Sequence, residues 1–306
     1  MMLAGKETPT EPVFLEELKD SGVQLSIRRL DKIHPLVSGN KFYKLKYNLE
    51  ACLRAGKKTI LTFGGAYSNH ILACAEAAKS AGLQSIGIIR GEEHNPMNPT
   101  LQAASSLGMK LTYMQREIYR KKNEKEVLEQ LQHRFGDFYL LPEGGTNQLA
   151  IQGTAEILQA TDKQYDHIAC GVGTGGTMAG ILSSIWPHQQ LWGFSALKGS
   201  FIVDEFDGLL KRYQVAPNAP YHLFIDYHFG GYARFKPELI SFIHRFKKQT
   251  GIPLDPIYTG KMMFGLVDAI QSGKFERGSH ILAIHSGGLQ GIQGFNQMHG
   301  TTLSDF

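Results

Sequence analysis

Cysteine is scarce in this chain. Only Cys52, Cys74 and Cys170 occur, an odd number with no Cys-x-x-Cys pair. That excludes a disulfide framework or a thiolate zinc cluster and suits a reducing compartment. Charge of one sign is also lacking: the formal net charge is +4. Lys and Arg gather between Arg116 and Lys125, but Glu117, Glu124 and Glu126 interrupt them. This pattern describes a solvated helix face and not a nucleic-acid footprint. No uncharged apolar run approaches the ~18 residues that a membrane helix needs. The opening Met1-Met2-Leu3-Ala4-Gly5-Lys6-Glu7 lacks the apolar stretch of a signal peptide. The twelve histidines include no His-Glu-x-x-His spacing, so no metal is assigned. No internal repeat or low-complexity segment occurs. A cytoplasmic protein is expected, with neither nucleic acid nor membrane as a partner.

What is present is an ordinary globular composition, 42% hydrophobic and 20% charged over 306 residues. A chain of this length can bury roughly three quarters of its unfolded surface. Short β-rich runs alternate with helical runs, the pattern of an α/β protein with parallel strands. Phe42, Leu45, Leu49 and Leu53 share one helical face, which places Lys41 at a helix start, with Gly56 closing the end. Strands are predicted at 59–63, 85–89, 110–113 and 138–141, and these four can form one sheet. Others are predicted at 167–171, 191–195, 222–225 and 280–284, among helices near 176–185, 236–248 and 262–272. The expected organisation is a small α/β domain, 44–150, inserted into a larger one made from 1–43 and 151–306. A ligand site would lie in the crevice between them.

The strand at 167–171 runs into Gly171-Val172-Gly173-Thr174-Gly175-Gly176-Thr177, and a helix follows. Glycines let backbone N–H groups approach an anion, and a helix N-terminus adds favourable partial charge. A phosphate would be held mainly by main chain, assisted by Thr174 and Thr177. Gly171, Gly173 and Gly176 also satisfy a dinucleotide fingerprint, but that reading needs an acid about twenty residues on. The next strand ends Phe194-Ser195-Ala196-Leu197-Lys198 without one. A Walker loop fails as well, for want of Gly-Lys-Ser/Thr.

Far upstream, Ser38-Gly39-Asn40-Lys41 opens an amphipathic helix. An amine at the positive end of a helix, desolvated in a cleft, favours its neutral form and hence imine chemistry. Lys44 and Lys46 read as solvated charges. An imine-forming lysine and a phosphate loop are both needed by one small molecule, pyridoxal 5'-phosphate (PLP), an aldehyde with a phosphate arm.

With these motifs assembled, the chain resembles the fold-type II PLP enzymes, those with the two-domain tryptophan synthase β-like fold. Within them it is similar to the family of 1-aminocyclopropane-1-carboxylate (ACC) deaminase and D-cysteine desulfhydrase. The resemblance runs from Ile27-Arg28-Arg29 to Gly291. It rests on Ser38-Gly39-Asn40-Lys41, Ser68-Asn69-His70, the glycine loop, Gly231-Tyr232, Tyr258-Thr259-Gly260-Lys261 and His285-Ser286-Gly287-Gly288, in family order. It implies that Lys41 forms the imine with the cofactor and later moves protons. Gly173, Thr174, Gly175, Gly176 and Thr177 would hold the phosphate, Asn69 the phenolic oxygen, and Ser286 would face the pyridine nitrogen. Ser68 resembles an active-site serine, although it could also simply cap the next helix. Backbone N–H groups from Ser68 to His70 would grip the substrate carboxylate, with Tyr232 and Tyr258 close by. A homodimer is also implied.

Sequences resembling ACC deaminases carry Glu directly after the motif tyrosine, and this chain has Thr259. A carboxylate facing the pyridine nitrogen would strengthen the electron sink, and a hydroxyl does so less. The leading expectation is therefore β-elimination from D-cysteine or a similar small amino acid, giving pyruvate, ammonia and sulfide. Ser68, Tyr258 or Tyr232 would assist the departing thiol. ACC ring opening to 2-oxobutyrate and ammonia is the alternative. A nicotinamide oxidoreductase and a catalytically silent PLP-fold protein are more distant ones.

Overall fold

The computed structural model describes residues 3–93 and 95–304, so Met1 and Met2 of the opening segment lie outside the described residues. Strands β1 (Thr10–Pro12) and β2 (Gln24–Arg29) precede helix α1 (Asn40–Arg54). Then come β3 (Thr59–Gly64), α2 (Asn69–Ser80), β4 (Gln84–Arg90), α3 (Pro99–Ser106), β5 (Lys110–Met114), α4 (Arg116–Arg120), α5 (Lys125–Phe135) and β6 (Tyr139–Leu141). The chain continues through α6 (Gln148–Ala155), β7 (His167–Val172), α7 (Gly176–Ser184), β8 (Gln190–Ser195), α8 (Phe201–Arg212) and β9 (Tyr221–Phe224). It closes with α9 (Pro237–Thr250), α10 (Thr259–Gln271), β10 (His280–His285) and α11 (Ile292–His299).

Two sheets result. One has the order β5-β4-β3-β6 and is parallel throughout. The other has the order β1-β2-β10-β7-β8-β9, parallel except where β1 meets β2. All eight expected strands are present within a residue or two of their anticipated ends. Strands β1 and β2 and helices α6, α8 and α11 are additions that the periodicity did not announce. All strands of the smaller sheet come from within 44–150 and all of the larger from outside it. On that partition we propose the two-domain division, although residue 44 itself falls inside α1 and residue 150 inside α6.

Parallel sheets carry helices on both faces, so their strands are buried on both sides. Ile281, Leu282, Ala283 and Ile284 of β10 are all fully buried. Ile281 and Ala283 enter a core with Phe242, Met262 and Leu266, whereas Leu282 and Ile284 enter another with Met178, Ile181 and Leu182. Each such aliphatic side chain stabilises the fold by about 1.5–3 kcal/mol. In α1, Phe42, Leu45 and Leu49 are buried as their spacing predicts, but Leu53 is 45% exposed where the helix end projects past the core.

Two contacts set α1 where the site needs it. A Cβ on Gly153 would stand 2.0 Å from the Tyr43 carbonyl oxygen, so only glycine allows α6 so close to α1. The Thr154 hydroxyl, one residue on, lies 3.1 Å from the Gly176 carbonyl at the start of α7. Helix α6 thus holds the lysine-bearing helix beside the glycine loop. Behind this layer the Arg28 guanidinium donates two hydrogen bonds to Asp162, at 2.5 and 2.7 Å, with both side chains buried. A buried pair of this kind costs several kcal/mol of desolvation, which bidentate geometry offsets.

Candidate active site

A cavity of about 330 Å³ opens where strands of both sheets end. Gly65 follows β3, Arg90 ends β4, Gly173 follows β7 and Ser286 follows β10. Ligand sites of open α/β sheets lie beyond the carboxyl ends of their strands in this way. Lys41, Ser68, Asn69, His70, Gly173, Thr174, Gly175, Gly176, Thr177, Tyr232, Tyr258 and Ser286 all line it. Every sequence-predicted site residue is therefore in one cavity.

Lys41 is the second residue of α1, and its Nζ donates to the Asn40 side chain at 2.9 Å. Burial lowers its pKa from the ordinary amine value to about 8, with Asp255 acting in the opposite direction. A sizeable fraction of the amine is then neutral near pH 8 and nucleophilic. The turn before it depends on glycine: Gly39 has φ +67°, and a Cβ there would stand 1.9 Å from the Ser286 carbonyl oxygen. The Asn40 amide donates to that same carbonyl at 3.1 Å. Two motifs nearly 250 residues apart are thus one backbone-on-backbone contact, which fixes Ser286 relative to Lys41.

Lys44 corrects the sequence reading, which took it for a solvated charge. It is buried, and its Nζ donates to the Gly144 carbonyl at 3.1 Å and to the Thr146 hydroxyl at 3.0 Å. Thr174 of the glycine loop is 3.5 Å away. No carboxylate lies within 4.0 Å of it among the described residues, and burial, with Lys41 nearby, holds its pKa well below the ordinary value. Lys46, by contrast, is partly exposed and paired with Glu156. Lys44 lies one turn from Lys41 on the same side of α1, so spacing could have revealed it.

The loop that Lys44 faces forms a cradle. Gly175 is left-handed at φ +78°, and α7 begins at Gly176 with its first N–H groups unpaired within the helix. A Cβ on Gly176 would lie 3.2 Å from Lys44 Nζ and 2.8 Å from Thr146, so bare backbone keeps this space open. Thr177 accepts from Asn40 Nδ2 at 2.7 Å. Helix N-terminus, hydroxyls and a buried, carboxylate-free ammonium together suit a phosphate dianion.

On the opposite wall, α2 begins after Ser68. The Ser68 side chain makes no capping hydrogen bond, so the capping alternative does not occupy its hydroxyl. At the start of α2 the N–H groups of Asn69 and His70 have no partner among the described residues, but the Ser68 N–H, expected to grip a carboxylate with them, donates to the Gly65 carbonyl at 3.0 Å, and the Ile71 N–H donates to the Ser68 carbonyl at 3.1 Å. Asn69 Oδ1 is buried without a partner. His70 is set differently. Its Nε2 is 2.8 Å from the Thr62 hydroxyl, which itself donates to the Leu141 carbonyl at 2.9 Å. Thr62 must therefore accept from Nε2–H, which leaves Nδ1 bare. Burial and two nearby lysines push the His70 pKa well below its ordinary value, so the ring is neutral.

The Tyr258 phenol closes the cavity against the glycine loop, where a Cβ on Gly173 would stand 3.1 Å from its hydroxyl. Burial raises its pKa well above the ordinary phenol value, so it stays protonated. The Tyr232 ring meets it edge-on at 6.1 Å. Behind Tyr258, Asp255 is buried and accepts from the backbone N–H of Ile257, Tyr258 and Thr259 and, at 2.5 Å, from the Thr259 hydroxyl. Asp255 caps α10, and Thr259 is bound to it. Asp-Pro one turn before a helix was the available signal for this cap. Arg90 and Glu143 also line the cavity and went unremarked in the sequence.

A buried Lys41 amine with a lowered pKa, a phosphate cradle six or more residues deep, and an orphaned amide oxygen on Asn69 fit PLP. Comparisons with known proteins agree. A family model described as pyridoxal-phosphate dependent enzyme matches residues 3–287. A Pyrococcus horikoshii protein provisionally named 1-aminocyclopropane-1-carboxylate deaminase is 30% identical over 302 residues, covering 93% of this chain and 90% of the relative. The D-cysteine desulfhydrase of Klebsiella pneumoniae is 29% identical over 308 residues, covering 94% and 93%. A crystal structure of an ACC deaminase homologue superposes with a TM-score of 0.82 at 28% identity, covering 94% of this chain and 90% of that one.

Proposed function

This chain belongs to the pyridoxal-phosphate-dependent enzymes, as a lyase or deaminase, and from that premise we propose that it catalyses β-elimination from D-cysteine. The products would be pyruvate, ammonia and sulfide. When bound, the cofactor draws electrons from the substrate α-carbon, and the protein supplies orientation and proton transfer. Lys44, the N-terminus of α7, Thr174 and Thr177 would hold the phosphate, and Asn69 the phenolic oxygen. Ser286 would face the pyridine nitrogen.

The substrate carboxylate would rest on the unpaired N–H groups of Asn69 and His70, beside the Ser68 hydroxyl. Lys41, whose lowered pKa leaves a sizeable neutral fraction near pH 8, would take the α-proton. The leaving sulfur would gain a proton from the cluster formed by Ser68, Tyr258 and Tyr232. The free hydroxyl of Ser68 and the protonated phenol of Tyr258 support that role.

One observation favours this over ACC ring opening. The position that would carry Glu in ACC deaminases is Thr259, and its hydroxyl donates to Asp255. Asp255 is itself saturated by three backbone N–H groups, so its charge is spent on capping α10. The pyridine nitrogen would then meet hydroxyls in place of a free carboxylate, a weaker electron sink that suffices for expelling a thiol. Cytoplasmic residence and a homodimer belong to the same proposal. The three cysteines are all buried and unpaired, as a reducing compartment allows. Incubating the PLP-loaded protein with D-cysteine, L-cysteine, D-serine and ACC tests the substrate. Pyruvate from D-cysteine is expected. Dominant release of 2-oxobutyrate from ACC would overturn the choice.

A further inference from the structure

Beside the main cavity lies a smaller one of about 100 Å³ that the reaction above does not use. The two share Gly65, Arg90 and Tyr232, so they adjoin. The walls that are not shared are largely apolar: Ala66, Tyr67, Ile257, Phe295 and Met298 among them. Its position relative to the reaction is informative. Tyr67 directly precedes Ser68, Ile257 directly precedes Tyr258, and Tyr232 lines both spaces. Tyr232, one of the three side chains assigned to protonate the leaving sulfur, therefore stands where the two spaces meet, with Ser68 and Tyr258 on the main-cavity side. A substituent on that sulfur would extend away from the α-carbon, past Tyr232, and into this smaller alcove.

We propose that this alcove is a subsite for the S-alkyl group of cysteine thioethers, so that the enzyme releases alkanethiols as well as sulfide. The inference rests on the lyase reading of the site. The reaction balances as RS–CH2–CH(NH3+)–COO− + H2O → RSH + CH3–CO–COO− + NH4+. The α-proton passes to Lys41, the C–S bond breaks with its electron pair on sulfur, and sulfur takes a proton from the donor cluster. Water then hydrolyses the unsaturated amine to pyruvate and ammonium. An apolar cavity of about 150 Å³ accepts benzene. One of about 100 Å³ suits a chain of three or four carbons and is too small for an aromatic ring.

The test is the relative kcat/KM of the PLP-loaded enzyme for cysteine and its S-methyl, S-ethyl, S-propyl, S-butyl and S-benzyl derivatives, each as both enantiomers. Pyruvate and thiol release are the readouts. Burial of each methylene should raise kcat/KM about fourfold from methyl to propyl, with a fall by benzyl. Met298, half exposed on α11, touches the alcove and none of the reacting groups, so it can be changed without altering cysteine turnover. Met298→Ala should move the optimum to a longer chain, and Met298→Trp should abolish the preference, both at unchanged cysteine turnover. Turnover of cysteine with a rate that falls steadily from S-methyl onward would overturn the subsite. So would a chain-length preference that neither variant moves. Absence of pyruvate from every compound would instead overturn the lyase reading beneath it.

Discussion

Replacing Lys44 by Met should move two properties in opposite directions. In the protein without cofactor, the ammonium is buried against a carbonyl and a hydroxyl with no carboxylate within 4.0 Å among the described residues. Exchanging buried ionic groups for apolar ones of similar volume is often stabilising by about 1–4 kcal/mol. Thr146 and Thr174 remain hydrogen-bonded to each other at 2.7 Å, so the exchange strands neither hydroxyl. The cofactor-free variant should therefore unfold at about 1–3 kcal/mol higher free energy than the parent. Affinity for PLP should fall, because a charge-assisted hydrogen bond is worth about 1.5–3 kcal/mol. That corresponds to a roughly 10- to 100-fold rise in Kd. The pH dependence follows from the depressed pKa. Burial makes Lys44 lose its proton at lower pH in the folded chain than in the unfolded one, so parental stability gains with rising pH between the depressed folded pKa and the unfolded pKa of ~10.4. The variant should lose that part of the slope. Urea unfolding of both cofactor-free proteins between pH 6 and 9, with PLP titrations followed by absorbance, measures all three. A variant that is less stable yet binds PLP as tightly would refute the reasoning.

Other consequences can be checked alongside. The rate of PLP uptake should rise about tenfold per pH unit and level off above about pH 8, where Lys41 becomes neutral; a rise continuing to pH 10 would assign the titration elsewhere. Ser68→Ala should lower kcat for D-cysteine by about 10- to 100-fold, in the range of a lost proton-transfer partner, while the protein stays yellow; an unchanged kcat would leave Ser68 no part in the chemistry. Thr259→Glu should raise the ratio of ACC to D-cysteine turnover, and a constant ratio would discredit the pyridine argument.

The parts of the molecule that were legible in the sequence are those governed by local rules. The eight central strands are short apolar runs bounded by turn residues, and the two-sheet partition follows from their grouping. The lysine motif, the glycine loop and Ser68-Asn69-His70 were also legible, because each is a contiguous stretch with its own backbone chemistry. What escaped depends on partners distant in sequence. Arg28 and Arg29 made β2 look polar, yet both are buried, paired with Asp162, Asp31 and Glu11. Lys44 looked solvated because nothing local shows that Gly144 and Thr146 fold over it. The contact between Gly39 and Ser286 is invisible to any window, although each motif alone was noticed. Asp255 was passed over because its partners are backbone amides.

The most direct test of the account is borohydride reduction of the yellow, PLP-loaded protein, followed by digestion and mass mapping of the modified peptide. A reduced pyridoxyl adduct is expected on Lys41 alone, with Lys44 unmodified three residues away. An adduct on another lysine, or a protein that never takes up the cofactor, would contradict it.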